Sequence, residues 1–446
     1  MLMWNRSVGL AFVLTSCCAA ALAQALAVPN ASFEARAADA DAPEGWTVSG
    51  GEGAWGEDAA EGARCITVTG NGKPGDNNYW RTADLSFAPF SVYRLRFQAR
   101  RGAGGGGCPT SGPVFCNRDL FDLTQSWQEC TSIFVTPSEL APDQQWLRFG
   151  QWEVNGTVAY DAVELTGAQP VYRVANRIAL GEGESIAGDE YVFRAPFDTL
   201  WTNHARPLAV NRCVFNTSRW VFATDNEVVY RHDIRDIEQT EARVEVNIGH
   251  HSAGTLVVEA SRDGVAWEPV GTLPGTGVGA FDVPAGLFPA RELWVRLGTR
   301  AARALAGDSD PGAFQLYAYT YTARLERAPG NMRGATHYLA VTETDPRLEV
   351  EVLSLGDAIP GGDNVLRARV RNLTRRNIKA RPRLALSAAD IETRERTALE
   401  LKPGDNDLAL AYPVRATGRN DAVFTLGGGI RYRAETRFEV SDLYNA

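Results

Sequence analysis

The sequence predicts an all-β protein built of three β-sandwich domains, and three observations carry that expectation. Apolar and polar residues alternate with a period of two in one segment after another. In VYRLRFQARR, Tyr93, Leu95 and Phe97 alternate with Arg94, Arg96 and Gln98. Clusters of Gly, Pro, Asn and Asp separate such runs at roughly 8–12 residues, the punctuation of short strands and tight turns. No amphipathic helical pattern exceeds about three turns, the best short candidate being RHDIRDIEQTEA from Arg231 to Ala242.

The first element is a leader. Arg6 precedes an apolar or small-residue run from Ser7 to Leu22, and Ala21-Leu22-Ala23 forms a small-x-small cleavage pattern before Gln24. This reads as a secretory signal peptide over residues 1–23, placing the mature chain outside the cell, in the periplasm or at the cell surface. Leu14-Thr15-Ser16-Cys17 offers a competing lipoprotein-type cut that would anchor the chain through Cys17. No later segment reaches the ~18 uncharged apolar residues of a membrane-spanning helix.

A chain of 446 residues is long for one compact unit, and a net charge of −9 excludes the basic footprint of a nucleic-acid binder. Lys73, Lys379 and Lys402 are the only lysines, which leaves Schiff-base and P-loop chemistry few candidates. The arginine dominance fits a GC-rich bacterial genome. Of seven cysteines, Cys17 and Cys18 leave with the leader. A disulfide is expected among Cys108, Cys116 and Cys130, with the pairing open, while Cys65 and Cys213 read as buried free thiols.

Three blocks follow: residues 28–167, rich in Trp; 169–327, bounded by GAQPVYR and ERAPGNMRG; and 334–446, without Trp or Cys. In the first block the glycine run at 102–107 is a loop lacking the Lys-Ser/Thr of a phosphate cradle. In the second, TLVVEASRDGVAWEPV reads as two strands about an Asp263-Gly264 turn, with Trp267 packed back on the sheet. In the third, VLRARVRN alternates apolar residues with arginine.

The first block resembles the CenC-like carbohydrate-binding modules, which are galactose-binding-like jelly rolls. NASFE is followed by PEGWT, SFAPFSVYRLRFQAR is similar to the strand reading Tyr-x-Leu-x-Phe-x-Ala, and NGTVAYDAVELTG is similar to the closing strand. Gly102–Cys130 departs from the pattern and reads as an insertion. The resemblance implies a structural calcium tying the first strand to the last through Glu34 and Asp161, since hard oxygen ligands suit that ion. Otherwise Glu34 is solvated and Asp161 caps a turn. The second block resembles discoidin-like sandwiches, making it a second galactose-binding-like jelly roll, with Asp308 and Asp310 a possible further cation loop or a plain turn. The third, with LALSAAD and the Lys-Pro-Gly-Asp-Asn turn, resembles immunoglobulin- or fibronectin-like spacers.

Sugar recognition needs flat rings for pyranose C–H faces and planar hydrogen-bonding groups beside them. Tyr79, Trp80, Trp127 and Trp152, with Asn77, Asn78 and Arg81, supply both. Trp80 and Trp127 are the expected platforms, Trp46 and Trp146 core residues. Arg94, Arg96, Gln98 and Arg100 share one strand face, either a polar groove or a solvated surface. No HExxH, GxSxG or paired CxxC occurs, and His250-His251 would point to opposite faces of a strand. Abundant Asp and Glu leave glycoside hydrolysis open as the enzyme reading. The expected function is therefore a secreted, non-catalytic protein binding polysaccharide or cell-surface glycan by aromatic stacking. The alternatives are a structural or adhesive surface protein and an ancillary part of a glycoside hydrolase system.

Overall fold

The computed structural model describes residues 26–197, 202–307, 310–356, 364–386, 394–395, 398–412 and 418–440. The expected leader with Cys17 and Cys18, Asp308 and part of LALSAAD lie outside them. Among the described residues the regular structure is β-strand, with two short 3-10 turns and no α-helix, and no helix is long and apolar enough to cross a membrane.

The first block contributes β1 (Trp46–Ser49), β2 (Glu52–Gly56), β3 (Cys65–Asn71), β4 (Asn77–Thr82), β5 (Val92–Arg101), β6 (Cys108–Pro113), β7 (Cys116–Asp119), β8 (Gln128–Val135), β9 (Leu147–Trp152) and β10 (Asn155–Ala175). The second contributes β11 (Ile178–Leu180), β12 (Glu184–Ala187), β13 (Glu190–Arg194), β14 (Leu208–Asn211), β15 (Val214–Asn216), β16 (Arg219–Phe222), β17 (Glu227–Asp233), β18 (Gln239–His251), β19 (Thr255–Ser261), β20 (Glu268–Leu273), β21 (Gly277–Asp282), β22 (Glu292–Arg300) and β23 (Phe314–Leu325). In the third block, β25 (Thr336–Glu343), preceded by the short β24 (Met332–Arg333), pairs with β10.

The period-two reading of β5 holds: Tyr93, Leu95, Phe97 and Ala99 are buried, while Arg94, Arg96, Gln98 and Arg100 face outward. The hairpin at 255–273 also forms as β19 and β20. Asp263 Oδ1 accepts from the Val265 and Ala266 amides, Gly264 takes φ +72°, and the Arg296 guanidinium lies 4.4 Å from the Trp267 ring centre. The best short helical candidate, 231–242, is instead the end of β17, a turn and the start of β18. His232, Ile234 and Ile237 there fill the sandwich core, a use of the apolar residues that strands satisfy equally well.

The blocks are joined more intimately than a chain of beads. The boundary expected near residue 168 falls inside the 21-residue β10, which pairs with β3 and β5 and then with β25. A thirteen-stranded sheet carries the order β1-β4-β9-β6-β7-β15-β16-β23, crossing from first block to second through the parallel pair β7–β15. One apolar core runs under both blocks, and a second fills the third block, beginning at Val171.

No disulfide forms among the expected three cysteines; Cys65, Cys108, Cys116, Cys130 and Cys213 are all free and buried. The sheet separates Cys108 from the other two. Cys108 lies on the outer face, beside Trp152 in register, whereas Cys116 and Cys130 belong to the core cluster. A bond from Cys108 would have to pass through the sheet.

Candidate functional site: a groove across the block seam

The outer face of the thirteen-stranded sheet forms a groove. One part, about 350 Å3, is lined by Asn77, Thr110, Asn117, Asp119, Arg148 and Trp152 from the first block and by Asn216, Arg219 and Gln315 from the second. A more open part of about 750 Å3 continues past Tyr79, Ser49 and Gly50. The segment carrying Arg303, Asp310 and Pro311 borders both.

Strand pairing explains why these residues meet. On β4 the odd positions Asn77, Tyr79 and Arg81 face out, and the even positions Asn78, Trp80 and Thr82 face in. Register then aligns Asn77 with Trp152 and Cys108, Tyr79 with Gly150 and Thr110, and Arg81 with Arg148 and Gly112. Gly150 is required at its place, because a Cβ there would sit 2.4 Å from the Tyr79 Cβ. The Tyr79 ring stacks on Trp146 at 5.8 Å and 13°, and the Arg81 guanidinium lies 4.4 Å from the Trp146 ring centre.

The polar groups of the floor hold one another in place. Arg148 Nη2 donates to Asn117 Oδ1 at 3.1 Å; Asn117 Nδ2 donates to Asp119 at 2.8 Å and Asn216 at 3.3 Å. Arg219 Nε donates to Gln315 Oε1 at 3.1 Å. At the rim, Arg303 grips Asp310 through two hydrogen bonds of 2.6 Å, and these hold the Asp310 carboxyl well below its ordinary range. Burial, with Asp119 alongside, pushes the Cys108 thiol up to about 12, so it stays protonated and is a poor nucleophile.

The expected site residues divide. Tyr79, Arg81 and Trp152 are half-buried on the groove face, and Asn77 joins them. Trp80 does not: it is 2% exposed, and its indole N–H donates to the Thr67 carbonyl at 2.9 Å beneath the sheet. Asn78 is also internal, donating to the Glu52 and Thr69 carbonyls. Trp127 is half-buried on the opposite sheet, where the Arg100 guanidinium covers it at 4.9 Å. Trp46 and Trp146 are buried, as expected. The stretch read as an insertion supplies β6 and β7, the middle of the groove floor.

Arg94, Arg96 and Arg100 line no groove. Arg94 pairs with Glu164 at 2.8 Å and with Glu435 of the third block at 2.7 Å; Arg96 pairs with Glu164, and Arg100 with Asp58. Glu34 and Asp161 both clasp one loop. Asp161 accepts from the Ala60, Glu61 and Ala162 amides, and Glu34 from those of Ala63 and Arg64. Backbone amides thus tie the chain start to the closing strand. No cluster of three or more His, Cys, Asp or Glu residues suited to a metal occurs among the described residues.

An acid and an imidazole are sealed in the second block's core. Glu184, 1% exposed, accepts from the Tyr191 hydroxyl and from Arg206 at 2.6 Å each. His232, fully buried, lies 3.7 Å from Tyr321 ring to ring and 2.8 Å from the Tyr319 hydroxyl.

No protein-family model matches the chain, and no curated protein does. Solved structures of low similarity include a CBM4 module, at 20% identity over 28% of this chain and 97% of its own, with a TM-score of 0.23. The tandem CBM22-1–CBM22-2 domain of Paenibacillus barcinonensis Xyn10C is 12% identical over 67% of this chain and 98% of its own, with a TM-score of 0.26. A triple jelly-roll protein of an archaeal virus turret is 9% identical over 84% of each chain, with a TM-score of 0.19. TM-scores this low assign neither ligand nor reaction to the groove.

Proposed function

We propose that this chain is a secreted, non-catalytic carbohydrate-binding protein whose groove holds a polysaccharide or cell-surface glycan. The observation that carries the reading is the pairing of half-buried, groove-lining rings, Tyr79 and Trp152, with planar hydrogen-bonding groups fixed on the same sheet face. Rings offer area to pyranose C–H faces at small entropic cost, and prearranged amides and guanidinium groups replace the water lost by sugar hydroxyls. Arg81 frames the Tyr79 end.

The groove chemistry supports binding over catalysis. Among the described residues its carboxylates are Asp119, hydrogen-bonded to Asn117, and Asp310, locked to Arg303. Neither is presented opposite a second free acid, the arrangement glycoside hydrolysis requires. A glycan array, repeated with Trp152→Ala and Tyr79→Ala, tests the reading. Binding lost in both variants supports it, and binding indifferent to both removes it.

Calcium at Glu34 and Asp161 belongs to the same proposal. The amide clasp uses both oxygens of buried Asp161 but only Oε1 of Glu34, so a hard cation would be met chiefly by Glu34. It would supply a structural tie and no chemistry. Calcium against EDTA in a thermal melt decides this: a calcium-dependent midpoint supports the ion, and an unchanged one leaves the amide clasp alone.

A further inference from the structure

Strand register draws a row of groove-facing positions across the seam between the blocks. Arg81 stands beside Arg148, and Arg148 opposite Gly112. Continuing the β6–β7 register sets Gly112 beside Asn117; Asn117 is paired with Asn216, and Asn216 with Arg219. Extending the β16–β23 register by one residue sets Arg219 beside Tyr317. The row crosses seven strands, and six inter-strand steps make it about 29 Å long.

Tyr317 ends the row in a distinctive way. It is 40% exposed, unlike Tyr319 and Tyr321 on the same strand, which are buried. A β-bulge between β18 and β23 near Ile248 breaks the alternation, keeping Leu316 and Tyr319 inside and turning Tyr317 out. The ring then lies over Gly249 of β18, where a Cβ would meet ring carbons at 2.6 Å. Its hydroxyl donates to Gln315 Oε1 at 3.1 Å, and the Arg219 guanidinium sits 5.6 Å from its ring centre. The ring is thus packed against the backbone yet partly open to solvent, beside Arg219 and Gln315 at the second-block side of the groove.

Resting on the carbohydrate-binding reading, we infer that the site is composite. It takes an extended linear oligosaccharide lying across the strands, with Tyr317 and Arg219 of the second block forming a distal subsite. The first-block rings hold one end of the sugar chain and Tyr317 stacks on a unit near the other. Asn117 and Asn216, with Arg148 and Arg219 on either side of them, bond hydroxyls along the way. A short sugar reaches one platform only, so affinity must climb with chain length until both are covered.

The test is isothermal titration of the full chain with cello-, xylo- and oligogalacturonide ladders, from disaccharide to octasaccharide. Tyr317→Ala should match wild type on the short members and bind the long ones at least about tenfold more weakly, the scale of one lost anchor ring. Tyr317→Phe, which keeps the ring, should bind like wild type. Gly249→Ala, which pushes the ring off its seat, should reproduce the Tyr317→Ala length dependence. Trp152→Ala should weaken every length. Binding that depends on Trp152 but ignores Tyr317 at all lengths overturns the composite site and leaves the first-block reading standing. Absence of binding across all three ladders by wild type, folded by its melting curve, overturns both.

Discussion

On the outer face of β5, Arg94, Arg96 and Arg100 each reach a carboxylate, and Arg94 joins the first block to Glu435 of the third. On the outer face running from β4 to β23, Arg148 and Arg219 bond the amides of Asn117 and Gln315 instead, with half-buried rings alongside. Both faces look alike as alternating sequence. One is consumed by ion pairs and closed by another part of the chain; the other is prearranged and open. A polar face becomes a binding face when its groups are held by neutral partners that leave capacity for a ligand, not when its charges are already matched.

That contrast can be attacked in several places. The largest effect of a single substitution should come from below the open face. Trp80→Ala removes a fully enclosed indole and should cost about 3–5 kcal/mol of stability, read as a lower denaturation midpoint. A small loss would mean that Trp80 is not the core residue its burial makes it. Acid should come next, acting chiefly through two buried imidazoles, with His337 likewise lowered by burial to about 4. His204, packed against Tyr338, is lowered by burial to about 4, and His232 is pushed well below its ordinary value by burial and by Arg206. The unfolded chain takes up protons below its ordinary pKa near 6.5 that the folded chain refuses. Stability must therefore fall as pH drops. The slope is about 1.4 kcal/mol per pH unit for each group, ending near pH 4 for His204 and lower for His232. Stability flat from pH 7 to pH 5 would show that these rings titrate freely.

On the closed face, Arg94→Ala should cost about 1–2 kcal/mol, because a mostly buried guanidinium leaves two carboxylates behind. Glycan affinity should not change. If affinity falls and stability holds, the closed and open faces have been assigned the wrong way round. A smaller acid effect belongs to the same contact. Burial raises the Glu435 pKa but the Arg94 hydrogen bond and nearby arginine charges outweigh it, so the folded value is depressed. The stability this pair provides is present above the ordinary carboxylate range and lost as pH falls through the folded value. A melt of Arg94→Ala should accordingly converge on wild type in acid.

Much of this architecture was legible as sequence. β5 and the β19–β20 hairpin follow from alternation and from an Asp-Gly turn whose side chain caps its own backbone. The groove was harder for identifiable reasons. In NNYWRT, the two alternating sets are Asn77-Tyr79-Arg81 and Asn78-Trp80-Thr82, each with an amide and a ring, so only pairing with β9 decides which faces in. β6 reads CPTSGP, with a proline at each end of the pattern and few strand formers, and its ladder partner β9 lies far along the chain. Tyr317 was hidden by a bulge that changes parity within a run of tyrosines. Seam residues such as Asn117 and Asn216 carry no local signal, because their meeting depends on a parallel pair between blocks.

The most direct measurement is a paired affinity comparison on one glycan, Trp152→Ala against Trp127→Ala, with folding of both confirmed by melting. Loss of binding in Trp152→Ala with wild-type binding in Trp127→Ala is the result expected of an open groove on the thirteen-stranded sheet. Retained binding in Trp152→Ala with loss in Trp127→Ala would move the ligand to the other sheet and contradict the account.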